Sequence, residues 1–71
     1  MPEIPRVSGT QAIHALQRLG SEIIRQRGSH IVLRRGLSGC VVPNHREFKT
    51  GTLAGVLRQA HVTTEEFISA L

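Results

Sequence analysis

The chain has 71 residues, 39% of them hydrophobic, with nine Lys and Arg against five Asp and Glu for a formal charge of +4. A chain this short buries only roughly 60% of its unfolded surface, so residues 1–71 form one domain with no room for a second one or for a deep, walled-off active site. The composition is that of a foldable globular chain, not a disordered one, and the single cysteine excludes a disulfide framework or a Cys-based zinc knuckle within the chain.

Residues 1–7 are expected to be a loose lead-in, because Pro2 and Pro5 disfavour helix immediately before them. Ser8 is a good N-cap for a helix over Thr10–Leu19, with Ala12, Ile13, Leu16 and Leu19 as its buried stripe and Gln11, Gln17 and Arg18 outward. His14 adjoins that stripe and reads as a solvated or flank-packed side chain. Gly20 supplies the stop. Residues 22–27, 29–35 and 39–43 read as three strands, since helical periodicity fails there and Ile and Val dominate the apolar positions. A turn at Arg35 to Ser38 sets Arg34 against Gly39, Leu33 against Cys40, Val32 against Val41 and His30 against Pro43. His30, Val32 and Arg34 then share one face, with Ile31 and Leu33 on the other. Pro43 cannot donate to a ladder and should end its strand or lie on an edge. Cys40, in an apolar run, reads as a core residue. A polar loop anchored by Phe48 leads to a second helix starting at Thr50 or Thr52, with Leu53, Val56, Leu57 and Ala60 buried. Thr63 and Glu66 form a capping box for a last helix over 64–71, whose apolar side is Phe67, Ile68 and Leu71. The layout is α+β: helix, three-stranded antiparallel sheet, helix, short C-terminal helix, with the helices on one sheet face. No signal peptide is evident and no apolar run approaches the ~20 residues of a membrane span, so a cytoplasmic location and no membrane contact are expected.

The charge is concentrated. Residues 1–24 are neutral and residues 50–71 carry minus one, whereas 25–49 hold Arg25, Arg27, Arg34, Arg35, Arg46 and Lys49 against Glu47 alone, plus five. Eight of the nine cations are Arg, which grips phosphate through a planar bidentate fork. A nucleic-acid backbone is the natural partner; the plain alternative is a solubilising basic face. At the centre of this block stands Gly28-Ser29-His30. Gly28 permits a tight reversal, and imidazole, with an ordinary pKa of about 6.5, both takes and gives protons near neutral pH. Ser29 reads as a turn hydroxyl, since no acyl-transfer triad can be assembled around it.

Four stretches taken together resemble the HicA family of toxins, the small ribonucleases of HicA–HicB toxin–antitoxin pairs. They are Ser8-Gly9 opening a helix that ends Leu19-Gly20; Arg25-Gln-Arg-Gly-Ser-His30; Val41-Val-Pro-Asn-His45; and Gly51-Thr-Leu-Ala-Gly-Val-Leu-Arg-Gln-Ala60 leading to Thr64-Glu-Glu-Phe67. The resemblance implies a fold similar to double-stranded-RNA-binding domains and cleavage of mRNA without any cofactor. It also implies a catalytic histidine following the Gly-Ser pair, here His30, and a HicB-like antitoxin that covers it. The chain departs from the family pattern at Ser21, at Ile31, in the short Arg35–Ser38 turn and at His61, which replaces a common glycine.

Metal-free RNA cleavage uses the substrate's 2′-hydroxyl as nucleophile, with a base, an acid and cations around the phosphorus oxygens. On this reading His30 is the acid or base. Arg25, Arg27, Ser29, Arg34, Arg35, His45, Arg46 and Lys49 make up the RNA-binding set, with His45 a candidate second proton carrier. Two other readings stand beside it: a non-catalytic RNA-binding module of the same fold, and a His30–His45 metal site, whose two ligands make a poor set.

Overall fold

The computed structural model describes residues 4–71. The elements are α1 (Gly9–Arg18), β1 (Glu22–Arg27), β2 (His30–Arg35), β3 (Ser38–Pro43), α2 (Thr50–Ala60) and α3 (Thr64–Ala70). The α+β order read from the sequence is the one observed. Met1, Pro2 and Glu3 of the expected lead-in lie outside the described residues; Val7 is buried and Ile4 packs on the core.

Local chemistry sets the helix ends. The Ser8 hydroxyl accepts from the Gln11 N–H at 3.1 Å, and the Gln11 side chain accepts from the Ser8 N–H at 2.9 Å, a reciprocal cap at the start of α1. Gly20, at φ +101, follows the Leu19 C-cap. Thr63 and Glu66 make the same reciprocal cap on α3, and the Thr63 N–H and hydroxyl hold the Glu66 carboxyl below its ordinary value. His61 closes α2 in the left-handed region at φ 56 and ψ 43, where histidine is tolerated better than most residues.

The sheet runs β1-β2-β3, antiparallel throughout. Both hairpins turn on two residues with glycine first, Gly28 at φ +56 and Gly36 at φ +59, the position at which such loops take glycine. The β2–β3 ladder has the expected register, His30↔Pro43 through Arg34↔Gly39. Ile31, Leu33, Cys40 and Val42 are buried on the helical face, joined by Ala12, Ile13 and Leu16 of α1, Leu53, Val56, Leu57 and Ala60 of α2, and Phe67 of α3. Phe48 and Val62 anchor the flanking loops in the same core. Pro43 ends β3, as a residue without an N–H should.

One apolar expectation fails, and one strand stands clear of the core. On α3 only Phe67 is buried, while Ile68 and Leu71 are 37% and 46% exposed. The helix is seven residues long and meets α1 and α2 along a narrow contact, so a single side chain reaches the interior. On β1 all six residues are exposed, including Ile23 and Ile24, because the helices lie mainly over β3 and leave this strand overhanging.

Cys40 is buried, and burial pushes its thiol above the ordinary cysteine value. A neutral thiol is a poor nucleophile, so a thiol reagent at pH 7–8 should label native protein far more slowly than protein in denaturant. Equal labelling rates in the two conditions would contradict this placement.

Candidate nucleic-acid interface

The face of the sheet turned away from the helices is built as three rungs. Arg27, His30 and Pro43 stand side by side at the first hairpin end, then Arg25, Val32 and Val41, then Glu22, Arg34 and Gly39. Directly opposed side chains in such a sheet have Cβ atoms about 4.5–5.5 Å apart. A bulge between Ile23 and Arg25 sets this arrangement on β1. It leaves Ile24 as the extra residue and so brings Glu22 opposite Arg34, while Arg25 and Arg27, on the hairpin side of the bulge, share the face of His30 by plain alternation. Arg25, Arg27, His30 and Arg34 are all exposed.

The hairpin tip is braced from behind. The Asn44 N–H donates to the Ser29 carbonyl at 2.6 Å, extending the ladder one step past Pro43. The Thr10 hydroxyl donates to Asn44 Oδ1 at 3.3 Å, and the Gly9 N–H donates to the His45 carbonyl at 2.7 Å. A Cβ on Gly9 would stand 2.6 Å from Asn44 Cα and 2.9 Å from the Pro43 carbonyl oxygen. The first turn of α1 therefore sits directly on the β3–α2 loop, which in turn holds Ser29 beside His30. The strand register read from the sequence already brings His30 close to Asn44; the packing of Gly9 against that loop was not expected. The available signal was a glycine inside the first helical turn, where helix formation has no use for one and close approach does.

Of the expected set, Arg25, Arg27, Ser29, His30 and Arg34 come together on β1, β2 and their turn. His45 and Arg46 are exposed in the loop behind Pro43, and Lys49 is exposed at the start of α2, where its side chain makes no capping bond. Arg35 departs from the set. Alternation puts it on the helical side, half-buried, and its guanidinium donates to the carbonyls of Leu19 at 3.3 Å, His61 at 3.1 Å and, at a longer 3.5 Å, Ala60. It ties the C-terminal ends of α1 and α2 to β2 instead of facing solvent. Hydrogen bonds from a charged donor are worth about 1.5–3 kcal/mol, so Arg35→Ala should lower stability by about 2 kcal/mol and the melting temperature by roughly 10 °C. Arg35→Lys should recover little, since one ammonium cannot serve the fork's separate acceptors. An unchanged melt for the alanine variant would refute the tie.

Among the described residues the one ion pair is Arg6 with Glu47, at 3.2 Å and highly exposed. Arg25, Arg27, Arg34, Arg46 and Lys49 therefore have no carboxylate at salt-bridge distance among the described residues; Glu22, opposite Arg34, offsets part of the charge, and Arg25 and Arg27 face no acidic residue across the ladder. Among the described residues no three His, Cys, Asp or Glu side chains converge as metal ligands, and no helix is long and apolar enough to cross a membrane. Chemically, the surface offers an imidazole beside exposed guanidinium groups, shallow enough for a polymer to lie across.

A family model described as HicA toxin of bacterial toxin–antitoxin matches residues 9–62, from the first residue of α1 to just past the α2 cap. No curated protein matches the chain.

Proposed function

The chain belongs to the HicA toxin family of bacterial toxin–antitoxin systems, and we propose that it is a ribonuclease that binds and cleaves mRNA with His30 as the proton-transfer residue. Membership implies a cognate antitoxin as protein partner. The observation that carries the catalytic reading is the rung in which exposed His30 stands between Arg27 and Pro43, with Arg25 and Arg34 on the same face and none of these arginines paired to a carboxylate among the described residues.

In the proposed reaction a base removes the proton of the ribose 2′-hydroxyl, and the 2′-oxygen forms its bond to phosphorus. The bond from phosphorus to the 5′-oxygen breaks, and that oxygen takes a proton from an acid. The products are a 2′,3′-cyclic phosphate and a 5′-hydroxyl. His30 serves as base or acid, and His45 is the candidate for the other proton. Arg25, Arg27 and Arg34 neutralise the phosphate and the charge that develops on its oxygens. Ser29, Arg46 and Lys49 extend the contact along the strand; Arg35 is left out because its donors are engaged with backbone carbonyls.

The test is incubation of the purified protein with single-stranded RNA and with the same oligonucleotide carrying 2′-deoxyribose throughout. Shortening of the RNA alone, weakening as salt rises, is the expected outcome. An RNA that is shifted but never shortened would make the protein a binding module without catalysis and overturn the proposal.

A further inference from the structure

The two edges of the sheet are finished differently. On β3 the outward Val41 N–H donates to Gln59 Oε1 at 3.3 Å, Pro43 has no N–H to offer, and α2 packs alongside. Among the described residues no strand pairs with the outer edge of β1, and the strand buries none of its six residues. Ile23 and Ile24 are 47% and 49% exposed side by side, and Leu37, at the tip of the other hairpin, is fully exposed toward the same end of the sheet. Arg25 and Arg27 follow toward the His30 end. An open edge bearing adjacent exposed isoleucines is a liability that proteins ordinarily cover.

We propose that the outer edge of β1 is the docking edge for an extended acidic segment of the antitoxin, added to the sheet as a fourth strand. Its backbone would take up the unpaired N–H and C=O groups of β1, its apolar side chains would cover Ile23 and Ile24, and its carboxylates would lie against Arg25 and Arg27. Charge selects this occupant. A second copy of the chain would bring its own Arg25 and Arg27 to the same edge and place four guanidinium groups together. RNA satisfies the arginines but gains nothing from the isoleucines or from a backbone edge. An acidic strand uses all three features, and the bulge at Ile24, which disfavours indiscriminate pairing of the edge, gives the matching strand a shape to fit. The inference rests on the antitoxin partnership that family membership implies and is independent of RNA cleavage.

The experiment titrates the full-length chain with its full-length cognate antitoxin by calorimetry, with amide hydrogen exchange on free and bound chain. Slower exchange of the outward β1 amides in the complex is expected. Ile24→Lys should weaken binding by about tenfold or more while the free variant cleaves RNA at the wild-type rate. Arg25→Glu should weaken binding comparably, and Ile68→Lys, on exposed α3, should leave it unchanged. Full affinity in Ile24→Lys together with β1 amides that exchange as in the free chain would overturn the proposal. So would a dimer of the free chain that protects β1, since the occupant would then be a second copy. Failure of the wild-type chain to cleave RNA would remove the ribonuclease reading and leave the titration intact.

Discussion

His30→Ala should reduce RNA cleavage by about 10²–10⁴-fold, the span that a positioned proton-transfer group supplies, with little change in RNA affinity or melting temperature. The three observables separate because the residue stands apart from everything that folds the protein. Its side chain is exposed, it contributes nothing to the core, and its backbone place in both ladders survives the substitution. Exposed positions of this kind usually change stability by less than about 0.5 kcal/mol. Binding should persist because, on the proposed reading, the phosphate contacts come from Arg27 in the rung of His30, Arg25 in the next and Arg34 in the third. Single-turnover cleavage, a binding titration on 2′-deoxy oligonucleotide and a thermal melt measure the three quantities. Cleavage at the wild-type rate would take His30 out of the mechanism. If His45 carries the second proton, His45→Ala should remove the opposite limb of the pH–rate profile.

Gly9→Ala should be among the most damaging small substitutions in the protein, although it adds only one methyl group, in the first turn of a helix. The methyl carbon would meet Asn44 Cα at 2.6 Å and the Pro43 carbonyl oxygen at 2.9 Å. Both are backbone atoms that no rotamer change can clear, so α1 must lift from the loop. Overpacking of this kind costs about 1–3 kcal/mol, and lifting also loosens the hydrogen bond from Gly9 to His45, worth about 1 kcal/mol. Alanine's better helix propensity returns up to about 1 kcal/mol. A net loss of roughly 2–3 kcal/mol should lower the melting temperature by roughly 10–20 °C in a domain of this size. Gly51→Ala is the control: nothing lies within 4 Å of that position, so the melt should rise slightly or stay put. Equal melts for the two variants would refute the close approach.

What the sequence made legible follows from how much each signal depends on neighbours. The β2–β3 register could be read because both strands alternate and a glycine-led turn joins them, so the apolar faces admit one alignment. The caps at Ser8 and Thr63 were legible for the same reason: every partner lies within three residues. Ile68 and Leu71 misled, since apolar character reports the ability to be buried, and a helix this short cannot bury a full stripe. For Ile23 and Ile24 the sequence left burial open, because only the lateral placement of the helices decides it. Arg35 looked like its neighbour Arg34, yet alternation turns it toward the helix ends, whose carbonyls are 16 and 26 residues away in sequence. His30 was legible as to face and, through the register, as a neighbour of Asn44; the brace that Gly9 and Thr10 set behind Asn44 was not, because that contact joins residues 34 and more positions apart.

The overhang of β1 also bears on how the molecule loses function on warming. No side chain of the strand belongs to the core, so peeling it from β2 should sacrifice mainly ladder hydrogen bonds, and such a partly opened form should lie below global unfolding in free energy. Arg25 and Arg27 leave with the strand. RNA cleavage should therefore fall off reversibly at temperatures below the calorimetric melt, and added oligonucleotide, which binds only the closed form, should push that loss upward toward the melt. Coincidence of the two temperatures without ligand would mean that β1 opens only when the whole domain does.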